Sequence, residues 1–181
     1  ASTCLRISRC ASRFDPRTRQ FLNFRRSHGL QGDEFNFGAH YRSPSGELFF
    51  GGADGYNAFY PERLTFNERP PPVALTDVLK LNVPADLGVQ HDSLQAVHFG
   101  YRDDVLTFRF AALDFTAPGE NRYAYKLEGF DPDWVQAGTS RQVTYTNLDG
   151  GQYVFRVRAA NSDGAWSTDA LALRVNVEPA P

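Results

Sequence analysis

Few side chains in this 181-residue chain have both the type and the spacing that chemistry requires. The carboxylates that come closest to a candidate catalytic pair are Asp131 and Asp133, in Asp131-Pro132-Asp133-Trp134. Glycoside hydrolysis uses such a pair, one as acid and one as base or nucleophile. These two are near-neighbours in a turn-like sequence, where Asp is favoured for local hydrogen bonding, so a turn is the expectation. His28, His40, His91 and His98 are scattered, and no two have the i, i+4 spacing that puts a ligand pair on one helix face. No Gly-x-Ser-x-Gly elbow offers a hydrolase nucleophile. The glycine loop Gly51-Gly52-Ala53-Asp54-Gly55 lacks the Gly-Lys-Ser/Thr that cradles phosphate, and no Asp-x-Asp-x-Asp-Gly loop offers a calcium site. Cys4 and Cys10 match no zinc pattern. If extended, the segment between them spans about 20 Å. A disulfide needs Cα atoms within about 7 Å, and no tight-turn sequence lies between the two. Trp134 and Trp166 could stack on a sugar ring, but a Trp beside a sandwich corner is expected in the core. The expectation is therefore a non-enzymatic chain with no catalytic, cofactor-binding or metal-ligating residue and no cofactor.

Bulk composition narrows the partners. Net charge is -2 and the pI about 6.1, so no electrostatic footprint points to nucleic acid or to an anionic membrane. Aromatic residues make up 14% of the chain, led by 15 Phe and 8 Tyr, which favours sheet over helix. No run of 18 apolar residues suggests a membrane span, and no signal-peptide pattern opens the sequence. The chain contains no Met, which reads as a processed product or, the favoured reading, a piece cut from a longer protein.

The elements that must position these residues are strands. Within 141–164, Val143 and Tyr145 alternate with polar neighbours, then Asp149-Gly150-Gly151 breaks the run. Tyr153, Phe155, Val157 and Ala159 next share one face, with Gln152, Arg156 and Arg158 on the other. The pattern reads as a hairpin, closed further on by the turn Asn161-Ser162-Asp163-Gly164. Strands are expected at 73–80, 94–101, 105–115, 122–128, 141–146, 152–160 and 170–177, the count of an immunoglobulin-like sandwich. Before them, Asn67-Glu68-Arg69-Pro70-Pro71-Pro72 reads as a stiff extended connector. In the first part of the chain, Phe14 and Phe21 recur as Phe59 and Phe66, an offset of 45 in both cases. That period suits one four-stranded propeller blade. The first copy lacks the glycines of the second, so an irregular start is expected. The domains read as 1–66, an incomplete propeller segment of about one blade; 67–72, the connector; and 73–181, the sandwich. The fold class is all-β, a partial β-propeller blade followed by an immunoglobulin/fibronectin-like β-sandwich.

The pattern from Leu148 to Asn161, Leu-x-x-Gly-x-Tyr-x-x-Arg-Val-x-Ala-x-Asn, resembles the F-strand region of fibronectin type III sandwiches. There a corner tyrosine, here Tyr153, ties its hydroxyl to the preceding connection. Residues 28–39 and 46–61 resemble the last blade of the bacterial two-component regulator propeller. Phe110-Ala111-Ala112-Leu113-Asp114-Phe115, the run 121–131, Trp134, Tyr145-Thr146-Asn147-Leu148 and 153–161 resemble the Y_Y_Y domain that follows it in that family. The likeness covers roughly residues 13–178, with both modules in the family's order. It implies structural roles for Tyr123, Tyr125, Tyr145, Tyr153 and Trp134. It also implies a periplasmic segment of an inner-membrane receptor, joined to upstream propeller blades and to a downstream membrane helix. The output domain would be a histidine kinase or a diguanylate cyclase. A receptor homodimer and a saccharide bound mainly by the missing blades would complete it. The alternatives are a carbohydrate-binding accessory module of a secreted enzyme, or a structural or adhesion sandwich.

Overall fold

Alternation of apolar and polar residues dictates most of this molecule. A computed structural model describes residues 4–7, 11–16, 19–85, 94–168 and 171–181. Cys10 and His91 lie outside the described residues. The architecture is all-β, and the chain divides into two units, Ala1–Phe66 and Asn67–Pro181.

The first unit contains two three-stranded antiparallel sheets. One is β1 (Cys4–Ile7), β2 (Ala11–Asp15) and β3 (Gln20–Phe24); the other is β4 (His40–Arg42), β5 (Leu48–Gly52) and β6 (Gly55–Phe59). Among the described residues neither reaches the four strands expected of a blade. Shifting β1 and β2 by 45 places them on β5 and β6, so Phe14 and Phe59 sit in repeated hairpins, whereas Phe21 is on β3 and Phe66 lies in no strand. The expected irregular start pairs regularly where it is described, with Cys4 opposite Phe14 and Ile7 opposite Ala11. Three of the five residues read as a glycine loop are strand, since Gly51 and Gly52 close β5 opposite Tyr56 and Gly55, and Gly55 opens β6. A Cβ on Gly52 would sit 2.6 Å from the carbonyl of Glu34, so only glycine lets the preceding loop lie this close. That loop seats Phe35 edge-on against Phe50, and both are buried.

The second unit is a sandwich of nine strands among the described residues. Seven occupy the expected segments: β7 (Val73–Lys80), β9 (Ala96–Phe99), β10 (Val105–Ala112), β11 (Arg122–Glu128), β13 (Gln142–Thr146), β14 (Gly151–Ala160) and β15 (Leu171–Val177). Two short ones were not foreseen, β8 (Val83–Pro84) and β12 (Val135–Gly138). One sheet has the order β13-β10-β7-β8, and the other β12-β11-β14-β15-β9, with β9 parallel to β15. The segment 141–164 is therefore not a hairpin. Its strands β13 and β14 belong to different sheets, and the turn between them crosses the sandwich. Their apolar faces, Val143 and Tyr145 against Phe155 and Val157, enclose one core from opposite sides. At its centre Phe108 stacks on Phe155, centroids 4.4 Å apart, a geometry that adds to the burial of both rings.

The registers give the sandwich two poles. At the leading pole lie Val73, Ala112, Arg122, Ala160 and Leu171; at the trailing pole lie Lys80, Val105, Thr146, Gly151 and Val177. Residues 67–72, read as a stiff connector, pack against the sandwich. They belong to the second unit, Pro71 is buried, and the carbonyl of Pro72 accepts from the Leu113 N–H.

Candidate functional site: hydroxyls that tie the two sheets together

Sheets packed face to face stand about 10 Å apart, and apolar contact alone is non-directional. In this sandwich tyrosine hydroxyls supply directional bonds from one sheet to the other. Tyr123, on β11 of the five-stranded sheet, is buried, and its hydroxyl accepts from the Ala112 N–H of β10 at 3.1 Å. That bond crosses the sandwich at the leading pole. At the trailing pole the direction reverses. Tyr145, on β13 of the four-stranded sheet, donates to Asp131 Oδ2 at 2.6 Å, and the Leu127 N–H donates to the same oxygen at 2.7 Å. Asp131 stands in the turn between β11 and β12, so this bond also joins the sheets. Burial first, then the hydrogen bond and charge of Asp131, hold the Tyr145 phenol well above its ordinary value. Burial and the same charge push Tyr125 upward, and its ring meets that of Tyr145 edge-on.

Tyr153 completes the set. Its hydroxyl donates to the Asp149 carbonyl at 2.9 Å, fastening the connection that crosses between the sheets, as the corner pattern implied. Beside it Gly129 has φ +96°, and a Cβ there would meet the Tyr153 ring at 2.9 Å. Glycine is required twice over, for the left-handed backbone and for the space.

The other residues singled out in the sequence fall elsewhere. Neither tryptophan is in the core. Trp134 and Trp166 both meet Arg158 on the outer face of the five-stranded sheet, with Cζ 4.4 and 5.4 Å from the ring centroids. The strand alternation that buries Val157 and Ala159 forces Arg158 outward, and the indoles cover its stem and Nε rather than the core. Asp131 and Asp133 are both spent on turn bonds, Asp131 as above and Asp133 to the Trp134 N–H at 2.7 Å. His40 is on β4, His98 on β9, and His28 accepts from the Arg25 N–H through Nδ1. Among the described residues no three His, Cys, Asp or Glu side chains gather where they could hold a metal, and no helix is long and apolar enough to cross a membrane.

A polar cluster at the leading pole was not foreseen. Asn161 is fully buried, and its Nδ2 donates to the carbonyls of Asn67 at 2.7 Å and Arg69 at 3.1 Å. Asp163 Oδ2 accepts from the Asn67 N–H at 2.7 Å. Asp114 and Asn121 extend the cluster, through Asn67 Nδ2 to Asp114 Oδ2 at 3.4 Å and Asn121 Nδ2 to the Asp114 carbonyl at 3.1 Å.

This core of bridging tyrosines coincides with a known domain: residues 114–178 match the Y_Y_Y domain family. This part of the sandwich is similar to a Y_Y_Y domain. Over 176 residues the chain is 26% identical to Histidine kinase P4 of Formosa agariphila, covering 93% of this chain and 13% of that protein. Among solved structures, it is similar to the extracellular domain of a B. thetaiotaomicron protein described as a hybrid two-component system. The TM-score is 0.78 at 22% identity, over 99% of this chain and 25% of that one. A second B. thetaiotaomicron extracellular domain, described as that of a one-component system, matches with TM-score 0.56 at 21% identity, over 94% of this chain and 23% of that one. These structures establish the all-β fold around the Y_Y_Y domain. The chain thus spans about an eighth of the curated relative and about a quarter of the solved chains.

Proposed function

We propose that this chain is a non-enzymatic segment of the extracytoplasmic sensor region of a membrane-bound signalling receptor, and that it relays a signal rather than recognising one. Upstream propeller blades bind the ligand, of which a saccharide is the leading candidate. The Y_Y_Y sandwich carries the resulting change towards a membrane helix and an output domain, either a histidine kinase or a diguanylate cyclase. The parent receptor sits in the inner membrane as a homodimer with this segment in the periplasm. One observation carries the reading. The chain enters the sandwich at one pole, ends β15 at the other, and both poles are cross-tied between sheets by tyrosine hydroxyls. A body tied in this way passes on a displacement instead of absorbing it in sliding layers. Similarity to a histidine kinase and to extracellular domains of signalling systems supports the same role.

The test is mechanical. Four flexible Gly/Ser residues inserted between Phe66 and Asn67 of the parent receptor should abolish induced output while leaving ligand binding unchanged. Normal induction by the interrupted receptor would refute the relay. Calorimetry of this chain against plant and microbial oligosaccharides should show nothing tighter than about millimolar, near -4 kcal/mol. A micromolar stoichiometric complex would favour a carbohydrate-binding module instead.

A further inference from the structure

The segment 67–72 is held as an extended peptide is held by a binding protein. Three consecutive prolines remove the N–H groups with which it could join a sheet, and apart from the Pro72 carbonyl, which accepts from the Leu113 N–H, its polar backbone is met by side chains. Asn161 supplies both amide hydrogens, one to each of two carbonyls two residues apart. Its Oδ1 accepts from the Ala165 N–H at 2.9 Å, which fixes the rotamer that aims the amide at the segment. The Asn67 N–H is taken by Asp163, and the Arg69 N–H by the Asn67 side chain at 3.0 Å. Every one of these bonds reads backbone, and the buried Pro71 adds an apolar anchor.

We propose that Asn161 and Asp163 form a binding site for this proline-rich segment of the same chain. Through this latch, motion arriving at Asn67 enters the Y_Y_Y sandwich. The second statement rests on the relay reading; the first stands without it. Asn161 opens the β14–β15 connection, and β14 and β15 run from the latch to the trailing pole, so a pull on the segment is applied to two central strands. An open latch leaves residues 67–72 tethered but slack.

The deciding variant is Asn161→Asp. It keeps the size of the side chain and the acceptor for the Ala165 N–H, but replaces the two-bond donor with an oxygen facing two carbonyls. Native-state amide exchange on the full chain should show the Asn67 and Arg69 amides losing roughly ten- to hundredfold protection. The Ala165 amide and those of β14 should change less than about threefold. Asp163→Ala should expose the Asn67 amide alone. A uniform loss across the sandwich, or no loss at the two segment amides, overturns the binding site. The same two substitutions in the parent receptor, with reporter output scored on a panel of plant and microbial oligosaccharides, should lower induction at unchanged receptor abundance. Full induction with an opened latch overturns the latch as the point of signal entry. The relay reading falls separately, on the insertion between Phe66 and Asn67.

Discussion

Removing one hydroxyl, that of Tyr145, tests whether the sandwich is held by directional bonds as well as by burial. Tyr145→Phe leaves the ring where it packs edge-on against Phe108, Phe130 and Phe155, and deletes only the 2.6 Å bond to Asp131. A hydrogen bond to a charged acceptor is worth about 1.5–3 kcal/mol, against about 0.5–1.5 for a neutral pair. Asp131 keeps the Leu127 N–H and is only half-buried, so the carboxylate is not stranded, and the expected loss is about 2 kcal/mol. For a domain of this size that lowers the melting temperature by roughly 8 °C. Tyr153→Phe, which loses a neutral bond to a carbonyl, should cost about 0.5–1.5 kcal/mol. Tyr123→Phe leaves the buried Ala112 N–H without its partner and should cost about 1–3 kcal/mol. Both tryptophans of the chain, Trp134 and Trp166, lie in the sandwich, so tryptophan fluorescence in a urea titration follows that unit alone. A double-mutant cycle with Asp131→Asn should return a coupling of about 1–2 kcal/mol. The reasoning fails if Tyr145→Phe costs no more than Tyr153→Phe, or if the two changes are additive with Asp131→Asn.

Two predictions concern pH. The phenols of Tyr145 and Tyr125 are held above their ordinary value, so the folded state keeps protons that the unfolded chain releases above about pH 10. Stability should fall as pH rises past that point, more steeply for the wild type than for Tyr145→Phe; equal slopes in alkaline denaturation would contradict this. Burial raises the Asp103 carboxyl, but the Lys80 hydrogen bond at 3.0 Å, the Gly100 N–H and the charge of Lys80 outweigh it, so the group ionises below its ordinary value. Its contribution is therefore complete above the unfolded value near 4 and is lost as pH falls through the folded one. Asp103→Asn should be less stable than wild type by about 1 kcal/mol at pH 7, converging with it in acid; a gap that persists at pH 2 would show that the loss is not one of charge.

The strands of the sandwich were legible because each buries one face. Period-two alternation in Val105–Ala112, Arg122–Glu128 and Leu171–Val177 gives their inward residues; burial follows it in Leu171–Val177, while in the other two Thr107 and Ala124, at outward positions, are buried as well. Sheet membership was not legible. Val143 and Tyr145 would alternate in the same way whether β13 paired with β14 or faced it across the core, and a glycine-rich turn is compatible with both. The corner tyrosine was the better signal, because a hydroxyl bond to the connection marks a crossing rather than a hairpin. The tryptophans misled for a related reason. A Trp can cover a sheet from outside when a long cation such as Arg158 lies against it, and nothing in the types Trp134 and Trp166 distinguishes that from core packing. Asn161 read as a turn residue, which it is: its carbonyl accepts from Gly164. What its side chain does depends on residues 67–69, more than ninety positions away, and no local pattern encodes that.

Why tyrosine should do this work follows from the distance to be crossed. A serine or threonine hydroxyl on one sheet stops well short of a partner about 10 Å away. Lysine and arginine have the reach, but they would carry charge and several rotatable bonds into the core. A phenol delivers its hydroxyl on a rigid apolar ring that counts as core for most of its length. The three hydroxyls take three kinds of partner, a backbone N–H at Ala112, a carboxylate at Asp131 and a carbonyl at Asp149. Tyr123 accepts from its partner, whereas Tyr145 and Tyr153 donate to theirs. Such a set fixes the alignment of the two sheets at both poles, where an apolar interface alone would tolerate sliding. On the relay proposed above, a pull at the leading pole reaches Val177 as a displacement of the whole sandwich.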